Sequence, residues 1–242
     1  MATDTRKGMV HFLYEFNRKV IDTTNVWSTN SDTGGTAFAI NEQTGGVIRG
    51  GVDTSDNDIT NLFGHDVFRL DESPATFEMR VKGLTSLADG ETYVGLTDSN
   101  TTDENPITLS TADVQTSNAT DAVGFAYTGA GTADWKMVAV NNGAAPSAGS
   151  IPGSVASPTR ANARGATTPV VGTWQTLKGV LSDEGHARFF INGVEQGNIA
   201  SAVRVGKQFA VRLLVERDAD LAKERDGIGH GQRAQDASDD RG

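Results

Sequence analysis

One short stretch of the chain is rich in side chains that can bind a hard cation. Residues 53–58 are Asp-Thr-Ser-Asp-Asn-Asp, and Asp53, Asp56 and Asp58 offer carboxylates. Carboxylate, hydroxyl and amide oxygens are the ligands that Ca²⁺ takes in proteins. The spacing does not fit an EF-hand loop, and Asp, Asn and Ser clusters are ordinary turn formers. We interpret the stretch as a turn and keep Asp53, Asp56 and Asp58 as weak calcium candidates.

A second acidic run, at residues 216–220, is Glu-Arg-Asp-Ala-Asp. Glycoside hydrolysis needs at least a pair of suitably spaced carboxyl groups. This run lies at the predicted end of a strand, where charged residues are common, so it is interpreted as structural. Glu78 is a lone carboxylate between Phe77 and Met79, which predicts a solvent-facing position with cross-strand partners. The sequence therefore predicts no catalytic residue and no enzyme.

The remaining residues that carry chemistry are scattered. The four histidines, His11, His65, His186 and His230, form no pair at metal-ligand spacing, and the chain has no cysteine. The Gly-x-Ser-x-Gly motif of a serine nucleophile is absent. The sequence thus predicts no transition-metal centre and no cofactor.

The three tryptophans are the residues best able to stack on a sugar ring. Trp135 and Trp174 lie in alternating apolar segments, so both are predicted to be core residues. Trp27 lies in a polar segment and is the one exposed candidate, although burial is the preferred interpretation there too.

Charge and hydropathy exclude several partners. The 242 residues carry 21 Lys and Arg against 31 Asp and Glu, a formal charge of −10. Phosphate backbones are bound by basic surfaces, so no nucleic-acid partner is expected. No apolar run approaches the ~20 residues of a membrane span, and the first residues lack the apolar segment of a signal peptide. We expect a soluble protein made in the cytoplasm, without a membrane partner.

Strands must position these residues, because side chains alternate along the chain with a period of two. In residues 75–82, Phe77, Met79 and Val81 face one way and the charged residues between them face the other. Residues 173–181 alternate in the same way. One face carries Trp174, Thr176, Lys178 and Val180, and the other carries Gln175, Leu177, Gly179 and Leu181.

The dipeptide Asn192-Gly193 predicts a tight hairpin turn, since its two residues readily supply positive φ angles. Apolar strand-like runs flank it, at residues 186–191 and 194–199. We interpret this hairpin as structural and not as a binding site.

Several segments break the regular pattern. An edge strand is predicted at residues 11–16, and loops are predicted at residues 25–35, 98–121 and 141–168. Residues 218–224 predict a short helix within a polar tail that is otherwise disordered. The predicted organisation is an N-terminal arm at 1–10, a β-sandwich at 11–216 and a C-terminal extension at 217–242.

Five segments share one order along the chain: FEMRVK at 77–82, YVGLTD at 93–98, VGFAY at 123–127, WQTL at 174–177 and RFFINGV at 188–194. Together they resemble the concanavalin A-like lectin/glucanase jelly roll, in the variants found in tailed-phage virion proteins. The resemblance covers residues 10–215 and implies an all-β fold, a two-sheet antiparallel jelly-roll sandwich. In one departure, the further D-x-D-Y-V strand that family members carry after a strand like 210–215 is missing.

The resemblance implies a non-enzymatic phage virion protein, most specifically a decoration or cement protein on the capsid surface. Its expected partners are the major capsid protein and itself, as a homotrimer, with attachment through residues 1–10, 141–168 and 217–242. The alternative is a carbohydrate-binding, lectin-like module of a receptor-binding or tail structure, with glycans as ligands. A third class, a glycan hydrolase of this fold, would carry an E-x-D-x-x-E cluster, which this sequence lacks.

Overall fold

The structure is a computed structural model. It describes residues 21–24, 26–31, 35–41, 47–52, 58–64, 68–70, 74–83, 90–99, 104–109, 115–129, 134–143, 155–156 and 168–217. The regular elements of these residues are all strands. They are β1 (Trp27–Ser31), β2 (Thr36–Asn41), β3 (Val47–Gly51), β4 (Asp58–Gly64), β5 (Phe68–Arg69), β6 (Ala75–Val81), β7 (Gly90–Thr97), β8 (Ile107–Leu109), β9 (Gln115–Ser117), β10 (Ala122–Thr128), β11 (Lys136–Val140), β12 (Val155–Ala156), β13 (Gln175–Leu181), β14 (Ala187–Ile191), β15 (Val194–Ile199) and β16 (Gln208–Arg217).

Two antiparallel sheets pack face to face. The eight-stranded sheet, called the large sheet below, has the order β1-β4-β16-β7-β10-β11-β12, with β5 also paired to β16. The four-stranded sheet, called the small sheet, has the order β15-β14-β13-β6. This arrangement confirms the predicted all-β, two-sheet antiparallel jelly-roll sandwich. No helix in the described part of the chain is long and apolar enough to cross a membrane.

The main core lies between the two sheets. Phe125 of β10 makes edge-to-face contacts with Phe77 of β6 and Phe189 of β14, with ring centroids 6.5 Å and 5.4 Å away. Trp135 also packs on Phe125, and its indole N–H donates to Oε1 of Gln175 on the facing sheet. The predicted burial of Trp135 is therefore confirmed. The predicted inward face of β6 is confirmed as well, and β13 shows the predicted alternation, with Gln175, Leu177 and Leu181 on its buried side.

The β2–β3 hairpin covers the rest of the inner face of the large sheet. Its Phe38 packs with Trp27 of β1 and Leu62 of β4 in a separate buried cluster. Trp27 is buried, as preferred from the sequence. The predicted loop at 25–35 is wrong in part, because β1 lies within it. The polar sequence of β1 hid the strand, which is held by backbone pairing to β4.

The predicted loop at 98–121 is also wrong. It contains the β8–β9 hairpin, whose Ile107 and Leu109 are buried against the outer face of the large sheet. Each of these strands has three residues, which is too short to show a period in the sequence. The predicted loop at 141–168 contains β12, which pairs with β11. Most of that segment lies outside the described residues.

The sequence lacks a further strand after residue 215, but strand β16 has no open edge. Strand β16 lies inside the large sheet and pairs with β4 on one side and β7 on the other. The predicted arm at 1–10, the edge strand at 11–16 and the extension at 218–242 lie outside the described residues.

Candidate functional site

The outer face of the large sheet is covered in part by the chain itself. Here the β8–β9 hairpin packs on it, and the side chains beneath the hairpin are buried. They include Tyr93, Ala126, Val138, Val140 and Leu214. Burial raises the pKa of the Tyr93 hydroxyl well above its usual value, and this hydroxyl donates to the carbonyl of Leu96. The chain itself occupies this part of the face.

Two carboxylates meet on this outer face. Glu91 of β7 and Glu216 of β16 are register partners on adjacent antiparallel strands, where side chains lie close together. Sequence reasoning considered Glu216 only within the 216–220 run and missed Glu91, because pairing between distant strands leaves no local signal. Glu91 is 5% exposed and accepts a long hydrogen bond from the Asn105 side chain, 3.4 Å away. A polysaccharide therefore cannot lie across Glu91 in this structure.

Arg212 lies on the same face, four residues before Glu216 on β16, and packs against its own chain. Its side chain is buried, and one guanidinium nitrogen donates to the carbonyl of Glu104, 2.6 Å away. Its guanidinium carbon lies 6.0 Å from the ring centroid of Phe63. The polar residues of this face thus hold the segment before β8 in place.

The weak calcium candidates do not form a metal site within the part of the chain that the structure describes. Asp58 begins β4 and is buried, with Arg217 as its register partner. Asp53 and Asp56 lie outside the described residues. Within the described ranges, no group of three or more His, Cys, Asp or Glu residues is placed to hold a metal ion.

The outer face of the small sheet is different, because its side chains remain partly or fully exposed. These outward residues are Thr76, Glu78, Arg80, Trp174, Thr176, Lys178, Val180, Arg188, Phe190, Glu195 and Asn198. Lys178 lies 3.4 Å from the Glu78 carboxylate, which confirms the predicted cross-strand partner of Glu78. Arg188 binds both carboxylate oxygens of Glu195, and this contact raises the pKa of Arg188.

Trp174 lies on this open face, so its predicted place in the core is wrong. The side chain is half-buried, and it shares the outward period of Thr176 and Lys178. The Arg80 guanidinium carbon lies 5.1 Å from the indole centroid, and Lys82 Nζ lies 4.9 Å from it. The sequence did contain a signal for this outward position, since two of the three residues in phase with Trp174, Thr176 and Lys178, are polar.

Hydrogen bonds fix the turn that precedes Trp174. The N–H of Gly172 donates to the carbonyl of Gly83, next to Lys82, and Gly172 has a φ of 79°. Val170 and Val171 in this turn are 54% and 50% exposed. They are two of the three large apolar residues that the described part of the chain exposes, so an apolar rim adjoins Trp174.

The hairpin residues have the predicted structural role. Asn192 and Gly193 have φ angles of 50° and 78°, as the tight turn requires. The Asn192 side chain accepts a hydrogen bond from the N–H of Thr176, and the Asn192 N–H donates to the Thr176 carbonyl. The turn is thereby attached to β13.

A buried charge cluster at one end of the sandwich holds the segment before β16. The Asp121 carboxylate is fully buried and accepts hydrogen bonds from the backbone and side chain of Arg204, which raises the Arg204 pKa. Asp98 accepts from the N–H groups of Thr120 and Asp121. This cluster is interpreted as structural.

Comparisons with known proteins show similarity of chain path at low identity. No protein-family model and no curated protein matches the sequence. Among solved structures, the Emp47p carbohydrate recognition domain is 14% identical with a TM-score of 0.49, over 84% of this chain and 83% of that one. A glycoside hydrolase family 16 endo-glucanase from Bacteroides ovatus is 11% identical with a TM-score of 0.49, over 85% of each chain. The carbohydrate binding module CBM66 from Bacillus subtilis is 14% identical with a TM-score of 0.43, over 80% and 93%. This likeness does not extend to an activity.

Proposed function

We propose that this protein is a non-catalytic, glycan-binding β-sandwich module that binds through the outer face of its small sheet. The observation that carries the proposal is the partly exposed indole of Trp174, which contacts Arg80 and Lys82 on an open face. A surface aromatic ring offers an apolar plane on which a sugar ring can stack. Neighbouring guanidinium, ammonium and hydroxyl groups can bond sugar hydroxyls.

We propose a function without catalysis because the carboxylates on the opposite face of the molecule are not open to a substrate. Glycosidases place two carboxyl groups on either side of the scissile bond, with room for substrate between them. The carboxylates of Glu91 and Glu216, which are register partners on the large sheet, lie where Glu91 is enclosed by protein. On the small sheet, the outward carboxylates Glu78 and Glu195 are each engaged by a cation.

The test is a glycan array probed with the full chain, followed by titration of the best glycan. Trp174→Ala should weaken binding about tenfold or more, because the stacking plane is lost. Trp174→Phe should retain much of the affinity. The matched control is Val205→Ser, an exposed apolar residue near Gly185, beyond the other end of β13.

Two results would overturn the proposal. One is an array without any bound glycan, and the other is unchanged affinity in Trp174→Ala. Melting curves of all variants should be recorded, because a folded Trp174→Ala protein is required for the comparison.

The virion role stays a prediction that rests on the resemblance alone. It places the chain on the capsid surface as a trimer in contact with the major capsid protein. Electron micrographs of particles with and without the protein test the location. Sedimentation tests the trimer, and a monomer both in solution and on the capsid would contradict it.

A further inference from the structure

The open face of the small sheet is positively charged in a chain of net charge −10. Its strands and their ends carry four cations and two carboxylates on the outward side. The cations are Arg80, Lys82, Lys178 and Arg188, and the carboxylates are Glu78 and Glu195. This face is therefore opposite in sign to the protein as a whole.

The carboxylates neutralise only one half of this face. Glu78 pairs with Lys178 at 3.4 Å, and Glu195 pairs with Arg188 at 2.6 Å. Arg80 and Lys82 have no carboxylate partner among the described residues, and their contact there is with the indole of Trp174. The positive charge in excess is concentrated at the Trp174 end of β6 and β13.

Arg80 and Lys82 lie about equally far from one ring, at 5.1 Å and 4.9 Å from its centroid. The negative face of the indole attracts each of them, but two like charges at one ring also repel each other. An anionic group bound beside the ring would be attracted to both cations. The hydrogen bond from Gly172 to Gly83 holds the apolar turn of Val170 and Val171 next to this position.

We infer that Arg80, Lys82 and Trp174 form a site selective for acidic glycans, polysaccharides that carry carboxylate or sulfate groups. The inference rests on the proposed function and assigns its ligand class. The anionic substituent draws the guanidinium and ammonium groups off the indole and forms charge-assisted hydrogen bonds with them, and the sugar ring stacks on the ring face that they leave. A neutral glycan offers the same sugar ring but no counter-charge for either cation.

The experiment measures binding of the full chain to polygalacturonate, dextran sulfate and uncharged dextran. At least one charged polymer should bind about tenfold more tightly than dextran, and added salt should reduce the difference. The double variant Arg80→Gln/Lys82→Gln should lose the preference for charge. Lys178→Gln is the matched control: it removes a cation of the same face that is already paired with Glu78, so the preference should persist.

The outcomes separate this inference from the proposed function. Equal binding to dextran and to both charged polymers overturns the inference and leaves glycan binding in place. A charge preference that survives in Arg80→Gln/Lys82→Gln also overturns it, because the anion would then be bound elsewhere. Absence of binding to all three polymers and to the glycan array overturns both.

Discussion

The outer faces of the two sheets differ in whether the chain covers them. On the large sheet, the β8–β9 hairpin covers the outer face and buries Tyr93 and Leu214. On the small sheet, the described chain leaves the outer face open, with Trp174 partly exposed. The difference arises from where the chain places its additional hairpin, because a covered face contributes to stability and an open face is available to a ligand. We expect substitutions to separate the two faces in the same way.

The largest expected effect is on the covered face. Ile107→Ala should lower the free energy of unfolding by about 2–5 kcal/mol, because it leaves a cavity beneath the hairpin. Thr108→Ala on the same strand points away and should change it by less than about 1 kcal/mol. Denaturant unfolding of both variants measures the contrast. Similar small changes would mean that the hairpin does not seal this face.

A second pair of substitutions compares close packing with backbone strain. Gly95 and Gly124 are register partners on the covered face, and a Cβ on Gly95 would lie 2.8 Å from the Tyr93 hydroxyl and closer still to the Val123 carbonyl. Gly95→Ala should therefore cost about 2–3 kcal/mol through overpacking. Gly193→Ala meets open space and carries only the strain of its positive φ, about 1 kcal/mol. Equal losses of stability in the two variants would contradict the close approach of β7 and β10.

The same contrast explains what the sequence could predict. Alternation in residues 75–82 and 173–181 predicts two faces for each strand. The dipeptide Asn192-Gly193 predicts the hairpin turn between the strands at 186–191 and 194–199. Alternation alone does not say which face is buried. Trp174 was predicted inside because it lies in an alternating apolar segment, although two of the three residues in phase with it, Thr176 and Lys178, are polar.

The rest of the site depends on contacts between distant segments. Burial of Ile107 and Leu109 holds strands β8 and β9 in place. The residues that they pack against come both from strands that precede β8 in the sequence and from strands that follow β9. Glu91 and Glu216 face each other because β7 pairs with β16, although more than a hundred residues of chain separate the two. Local propensity carries no information about such pairing.

The smallest expected effect concerns the charge cluster at the end of β7. Burial is the largest cause that raises the pKa of Asp98, and the nearby Asp121 carboxylate raises it further. Hydrogen bonds from backbone N–H groups and the charge of Lys207 lower this pKa, but the net shift is upward. Folding therefore favours protonated Asp98. Its stabilising contribution is present below its ordinary pKa of 3.8 and is lost as pH rises through the raised value.

Asp98→Asn should therefore melt at a higher temperature than the wild type at neutral pH, since Asn keeps the acceptor oxygen without the charge. The gap should close as pH falls toward the ordinary Asp value of about 4. Melting curves across this range check the sign. A variant that is less stable at neutral pH would show that the Asp98 charge stabilises the fold.

We expect the ligand to bind the open face and not the covered one. Hydrogen–deuterium exchange of the full chain, with and without the best-binding glycan, distinguishes the two faces. We predict slower exchange at residues 80–83 and 170–176, with residues 91–97 and 107–117 unchanged. Protection centred on residues 91–97, 107–117 and 212–216, with none around Trp174, would mean that the ligand binds the covered face.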